Sequence, residues 1–441
     1  MSTNDGVSVN QEPRPWSSRA WLRSVGALAV VSIVVLSVVW LTEQRGSEPT
    51  PLPPSSSRGE AGSIDSAAQR SSLAIRALQR QGAGLRAGSR ADYLSAWDAT
   101  TAAVQRRAQT TYANLRALGV DELDTRYIAA ESGLSRGAER RLGGPAWRAD
   151  VEVGYALAGF DRSPARTTVS YTFVRRHDRA YIIDVRAADG QRQPIWSLGR
   201  LDVRRSPRTL VAASSEATAS RVAAHLRQAV DDVQTVLPWW DGKLVAYVAD
   251  SSRDLEALLA AAPGTYGAIA AVTTTVDGST RADVPVVVVV NAAVFTGLGP
   301  LGSRVVMTHE ATHVATNAAV VGMPLWVAEG FADYVGVGAV DVPLSVSAHA
   351  VLRDIRRNGV PERLPAHSDF GAGRRGLEVS YEQAWLANKL IAQTYGERGL
   401  VRFYEAVVHD PDDLAGAFRD LGTSRRIFTQ QWRGYLEGLR R

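Results

Sequence analysis

Residues 305–314 read VVMTHEATHV, and a short loop later residues 324–336 read PLWVAEGFADYVG. Seven histidines serve the 441 residues, and two of them, His309 and His313, stand four apart with Glu310 directly after the first. On a helix, a spacing of four turns side chains by about 40°, so both imidazoles share one face. Glu310 is rotated by about 100° from His309 and cannot easily join the pair on one ion. It can instead lean over whatever position the pair leaves open. Two neutral nitrogens able to approach a cation at about 2.0–2.1 Å, with a free carboxylate beside them, form a coherent donor set for zinc.

The second stretch decides between this reading and an ordinary pair of helix histidines. Pro324 is a good opening residue for a helix, and Leu325, Val327, Ala328, Phe331 and Ala332 mark that helix as buried. Glu329 and Asp333 stand among them, again four apart and on one face. A carboxylate buried among apolar residues is costly unless it is paired or bound to metal. Glu329 as a third metal ligand and Asp333 as hydrogen-bond partner of a ligand histidine resolve both costs. Two His and one Glu leave a fourth position for water, the pattern of a catalytic rather than a structural zinc.

These residues resemble the gluzincin metallopeptidases of the thermolysin and aminopeptidase N clan, in the peptidase MA-like group, over about residues 215–438. The resemblance implies zinc ligation by His309, His313 and Glu329, with Glu310 as general base and acid. It also places Asp333 at the clan's Glu-x-x-x-Asp position beside a ligand histidine. The segment VPVVVVVN (284–291) suits the sheet edge that pairs with a substrate backbone in that clan. VSYEQAWLANKLIAQTYG (379–396) is similar to the clan's downstream helix, which presents a tyrosine to the oxyanion. Tyr381 is therefore a candidate for that role, with packing on the core as its alternative. No GxMEN-type segment is present to hold a free N-terminus, so the resemblance implies an endopeptidase rather than an exopeptidase.

Working outward, Ser24 to Thr42 run nineteen residues without a charge. As a helix that is roughly 28 Å, about the thickness of a bilayer's hydrocarbon core. Arg14, Arg19 and Arg23 precede the run. Short basic flanks stay in the cytoplasm, so residues 1–23 are expected to be a cytoplasmic tail, 24–42 a single anchor, and the remainder extracytoplasmic. WLTEQRG offers no small-x-small cleavage site, against a removed signal peptide. Residues 43–62, rich in Pro, Ser and Gly, are expected to be a flexible linker.

From 63 to 118 helical signals dominate: Val104, Ala108, Tyr112 and Leu115 fall on one face. Strands follow, with Val151, Val153, Tyr155 and Leu157 alternating, then Val169, Tyr171 and Phe173, and further strands at RLDVRR and TLVAAS. Helices first and an antiparallel meander after them predict an α+β domain over 63–214. ALQRQGAGLRAGSRADYLSAWD (77–98) and QRRAQTTYANLRALGV (105–120) resemble the opening helices of the cone-shaped nuclear transport factor 2-like fold. That resemblance brings no catalytic residue; a structural spacer or inhibitory cap is the expected role, with a ligand pocket in the cone as its alternative. The second domain, 215–441, opens on a helix capped by Ser215, continues with strands and a helix near 244–291, and is mostly helical thereafter.

Composition bounds the rest. The net charge is +5, from fifty basic and forty-five acidic residues spread along the chain, which gives a nucleic-acid partner little support. There is no cysteine, so disulfides and thiolate metal sites are excluded and any metal falls to His and carboxylates. His225 and His349 fall on expected helices, His177 in a hairpin turn and His409 near a helix end. His367, in LPAHSDFGAG, is the remaining histidine that a loop could bring to a cleft. The expectation is an α+β, membrane-anchored, extracytoplasmic zinc peptidase acting on a peptide or protein substrate. The alternatives are a zinc-binding scaffold without catalysis and a ligand-sensing envelope protein.

Overall fold

The computed structural model describes residues 67–371 and 374–440. The expected tail, anchor and linker at 1–62 lie outside the described residues. Among those described, no helix is long and apolar enough to cross a membrane.

The chain begins with α1 (Ala67–Arg86), α2 (Arg90–Leu94) and α3 (Ala102–Leu118). The Thr101 side chain caps α3 by accepting from the Val104 N–H. Next come β1 (Asp124–Gly133), α4 (Arg136–Leu142), β2 (Ala146–Tyr155), β3 (Ala165–Arg176) and β4 (Arg179–Ala187). The four strands pair antiparallel in chain order. Val151, Val153, Tyr171 and Phe173 turn inward and pack in one core with Leu73 and Leu78 of α1 and Leu115 of α3. The alternation read from the sequence is therefore the inward face of the meander. Strand β1 was not expected: its alternation is thin, and Ile128 faces outward at 46% exposure.

Two strands expected to close this meander do something else. β5 (Asp202–Arg205) and β6 (Thr209–Ala213) belong to a second sheet, with β7 (Leu244–Ala249), β8 (Ala271–Thr275) and β9 (Val286–Asn291), in the order β5-β6-β7-β9-β8. The reason is the connection after β6. Helix α5 (Glu216–Val236), capped by Ser215, carries the chain back so that β6 and β7 pair in parallel as a βαβ unit. The boundary expected after Ser214 thus falls inside a continuous sheet.

A second correction concerns VPVVVVVN. β9 is not an edge strand: it lies between β7, parallel to it, and β8, antiparallel to it. Its valines explain why. Val288 and Val290 pack in the core that holds the C-terminal helices, whereas Val287 and Val289 pack in the core shared with the N-terminal strands. A strand buried on both faces reads as a continuous apolar run. The same split holds in β7, where Ala246 and Val248 face one core, and Val245 and Tyr247 the other. The second sheet is the middle layer of the molecule, and β8 lies at its edge.

The remaining elements are α6 (Ser252–Leu259) between β7 and β8, then α7 (Ala292–Gly297), α8 (Gly299–Ala315), α9 (Leu325–Gly338), α10 (Leu344–Ser347), α11 (His349–Asn358), α12 (Leu377–Tyr395), α13 (Glu397–His409), α14 (Leu414–Asp420) and α15 (Arg425–Arg440). α8 is buried nearly all round, as a central helix should be. Arg304 on its outer side forms a 2.7 Å ion pair with Asp232 of α5, and Thr308 donates to the same carboxylate at 3.1 Å. Two glycines set how α9 is held. A Cβ on Gly336 would stand 2.9 Å from the Val305 carbonyl oxygen of α8, and one on Gly330 would stand 2.2 Å from Asn388 Nδ2 of α12. Only glycine lets α9 lie that close to both neighbours. Behind it, Trp326 stacks on Phe418 and Phe428. The whole is an α+β fold.

Candidate metal centre

α8 carries His309, Glu310 and His313, and α9 carries Glu329 and Asp333. The close α8–α9 crossing at Gly336 brings the two pairs together. His309 Nε2 and His313 Nε2 are 3.0 Å apart. Glu329 Oε2 stands 3.3 Å from His309 Nε2, and its Oε1 stands 3.5 Å from His313 Nε2. Three donors each about 2.0–2.1 Å from a tetrahedral ion must sit roughly 3.3–3.4 Å from one another. The observed separations scatter around that value. His309, His313 and Glu329 are all buried and could hold a metal ion.

The polar accounting points the same way. Glu329 is fully buried, and its oxygens face only the two imidazoles, at 3.3 and 3.5 Å, with no well-aligned hydrogen-bond donor among the described residues. Leaving a carboxylate so would cost several kcal/mol, and a cation between it and the imidazoles removes the cost. Burial alone would push Glu329 up, but the two histidines outweigh it and hold the carboxyl at about 2. His309 moves the other way. Burial opposes its charge, but Asp333 and then Glu329 raise it well above its ordinary value. Both shifts express one demand: the cluster attracts positive charge.

Asp333 Oδ1 lies 2.7 Å from His309 Nδ1. With the proton on Nδ1, His309 donates to Asp333 and keeps the Nε2 lone pair directed at the cluster. His313 Nδ1 has no comparable partner among the described residues.

Glu310 is fully buried beside this group. Burial raises its pKa, an effect offset in part by His309, His313 and a hydrogen bond from Thr273. The Thr273 hydroxyl, on edge strand β8, lies 2.6 Å from Glu310 Oε2 and 3.1 Å from the Glu310 carbonyl oxygen. The other oxygen, Oε1, has no partner among the described residues. Nothing in the sequence marks Thr273 for this role. Three consecutive threonines in β8 look like ordinary strand formers, and only the sheet's register turns the first of them, Thr273, toward α8.

The other expected residues are placed as follows. Tyr381 lies in the first turns of α12, 2% exposed, with its ring edge-on to Phe370 at 5.2 Å between centroids. His367 opens a 3-10 turn, His367–Phe370, and is exposed. His225 packs edge-on against Phe295, as a helix histidine in a packing role should. His177 occupies the β3–β4 turn with φ 54°.

No family model matches the chain, and no curated protein or solved structure is similar to it.

Proposed function

We propose that the protein is a zinc-dependent peptidase of gluzincin type, an endopeptidase held outside the membrane by the segment 24–42. The observation that carries this reading is the geometry of three buried side chains, the two Nε2 atoms 3.0 Å apart and the Glu329 carboxylate reaching them at 3.3 and 3.5 Å, with a carboxylate beside them that is not needed to hold a metal. His309, His313 and Glu329 would hold the ion. A divalent zinc bound there supplies Lewis acidity, polarising a carbonyl and acidifying a water.

The chain's own groups supply the rest. Thr273 fixes one oxygen of Glu310, which leaves Oε1 as the atom that takes a proton from the attacking water and returns it to the leaving amine. Asp333 accepts from His309 Nδ1–H and so keeps that imidazole in the ligating tautomer. Tyr381 is assigned the tetrahedral oxyanion, as the clan resemblance implies, with Tyr381→Phe as its test. A scaffold without catalysis would have no use for Glu310, whose burial is costly and whose position is held by a dedicated hydroxyl.

The test is Glu310→Gln in the full-length protein, with a peptide library as substrate. The expected outcome is unchanged zinc content with cleavage reduced by at least about 100-fold, the usual scale for losing a general base. Cleavage by the variant at the parental rate would overturn the mechanism. A zinc-free, folded parent would overturn the metal centre itself.

A further inference from the structure

A cleft of about 560 Å³ is lined by none of the three metal donors, although Val314 and Ala315, which follow His313 on α8, border it. It is bounded by residues 160–163 after β2, residues 239–243 between α5 and β7, residues 282–286 leading into β9, and the end of α8. The volume falls in the ordinary range of small-ligand pockets, about 300–1,000 Å³. Trp239, at its rim, is 56% exposed, and the neighbouring Trp240 is nearly buried. An indole left that open in a concave, polar setting forgoes much of the burial that tryptophan normally gains, a pattern expected of a recognition platform.

The charges around the cleft say what sort of ligand it suits. Asp241 pairs with Arg162 at 3.2 Å, and Asp283 pairs with Arg281 at 2.6 Å. Lys243 Nζ donates to the Gly159 carbonyl oxygen at 2.6 Å. Asp161 accepts the Leu157 N–H at 2.8 Å, and burial raises its pKa to about 6. Asp161, Asp241 and Asp283 are matched in number by Arg162, Lys243 and Arg281, so the cleft makes no net demand for an ionic ligand. Its carboxylates still carry further acceptor sites, since an ionised carboxylate offers about four lone-pair positions.

We propose that this cleft binds a neutral oligosaccharide. One pyranose ring lies with its C–H face on the Trp239 indole, and its neighbouring hydroxyls donate to the Asp241 and Asp161 carboxylates. A peptide is the poorer fit. It offers one backbone donor per residue, whereas vicinal hydroxyls present two donors to one carboxylate. The proposal stands independently of the metal centre.

The experiment is calorimetric titration of the full-length protein with maltotetraose, cellotetraose and N-acetylchitotetraose, and with a proline-rich decapeptide as comparator. At least one tetrasaccharide is expected to bind with Kd between micromolar and millimolar, and Trp239→Ala is expected to weaken it about tenfold or more. Trp239 is exposed, so its removal should leave the fold intact, which circular dichroism checks. Binding should persist in chelator and in His313→Ala. The proposal is overturned if no tetrasaccharide gives a saturable heat, or if Trp239→Ala binds like the parent. Loss of binding in chelator, or Trp239-dependent binding of the peptide alone, would overturn it too.

Discussion

Glu329→Gln separates a metal ligand from a carboxylate that merely pairs with histidines. The substitution keeps the volume and the fully buried position but removes the charge that sits 3.3 and 3.5 Å from the two imidazoles. In the parent, free zinc at about 100 times its Kd should stabilise the fold by about 2.7 kcal/mol. At roughly 2–4 °C per kcal/mol, this raises Tm by about 5–10 °C, nearer the lower figure for so large a cooperative unit. Loss of one of three protein ligands should weaken zinc at least about 100-fold. The same free zinc then sits near the new Kd, and the increment collapses to about 0.4 kcal/mol, about 1 °C. Differential scanning calorimetry in zinc and in chelator measures both. Asp333→Asn, which alters only the partner of His309, should give an intermediate shift, since such outer contacts typically change metal affinity about 10–100-fold. Equal zinc shifts in parent and Glu329→Gln, or no shift in the parent, would refute the assignment.

Thr273→Val removes the donor to Glu310 Oε2 while keeping the side chain's shape. A hydrogen bond to a charged group contributes about 1.5–3 kcal/mol, so kcat should fall roughly 10- to 150-fold at unchanged zinc content, with Thr273→Ser restoring it. A Val variant as active as the parent would dismiss the hydroxyl. Gly336→Val forces the α8–α9 crossing apart where a Cβ already meets the Val305 carbonyl oxygen at 2.9 Å. It should cost about 1–3 kcal/mol in a denaturant midpoint and lower zinc content as well. Intact zinc binding would show that the crossing distance is not what assembles the donors. Glu382 accepts from the Ala350 and Val351 N–H groups, but burial outweighs those bonds and raises its pKa from 4.5 to about 7. A raised folded pKa means stability that is present below about pH 4.5 and lost as pH climbs through about 7. The size is about 3 kcal/mol. Glu382→Gln should flatten that part of the pH–stability profile, and parallel profiles would contradict it.

The candidate centre was legible because its geometry is local. Two i, i+4 pairs, His309 with His313 and Glu329 with Asp333, each fix a face of one helix, and a short loop forces the two helices to be neighbours. The assembly of the sheet was not legible, because pairing partners are chosen across long stretches of chain. RLDVRR and TLVAAS have the pattern of strands, yet nothing in them says whether they pair with what precedes or with β7, 31 residues beyond Ala213. The β9 valines are a clearer lesson. The missing alternation in VVVVV marks a strand buried on both faces, against the sheet edge that the clan resemblance implies. Thr273 sat beyond reach because its role depends on which way one residue of an edge strand points.

The middle sheet also limits how the chain can be divided. A fragment cut at 215 would strip β6 from β7, baring a row of backbone donors and acceptors and uncovering Val245, Tyr247, Val287 and Val289. Such a piece should aggregate, whereas one beginning ahead of α1 keeps its lining. Residues 67–213 are therefore part of the floor on which the histidine helix stands, and a change that loosens them should be felt at His309 and His313.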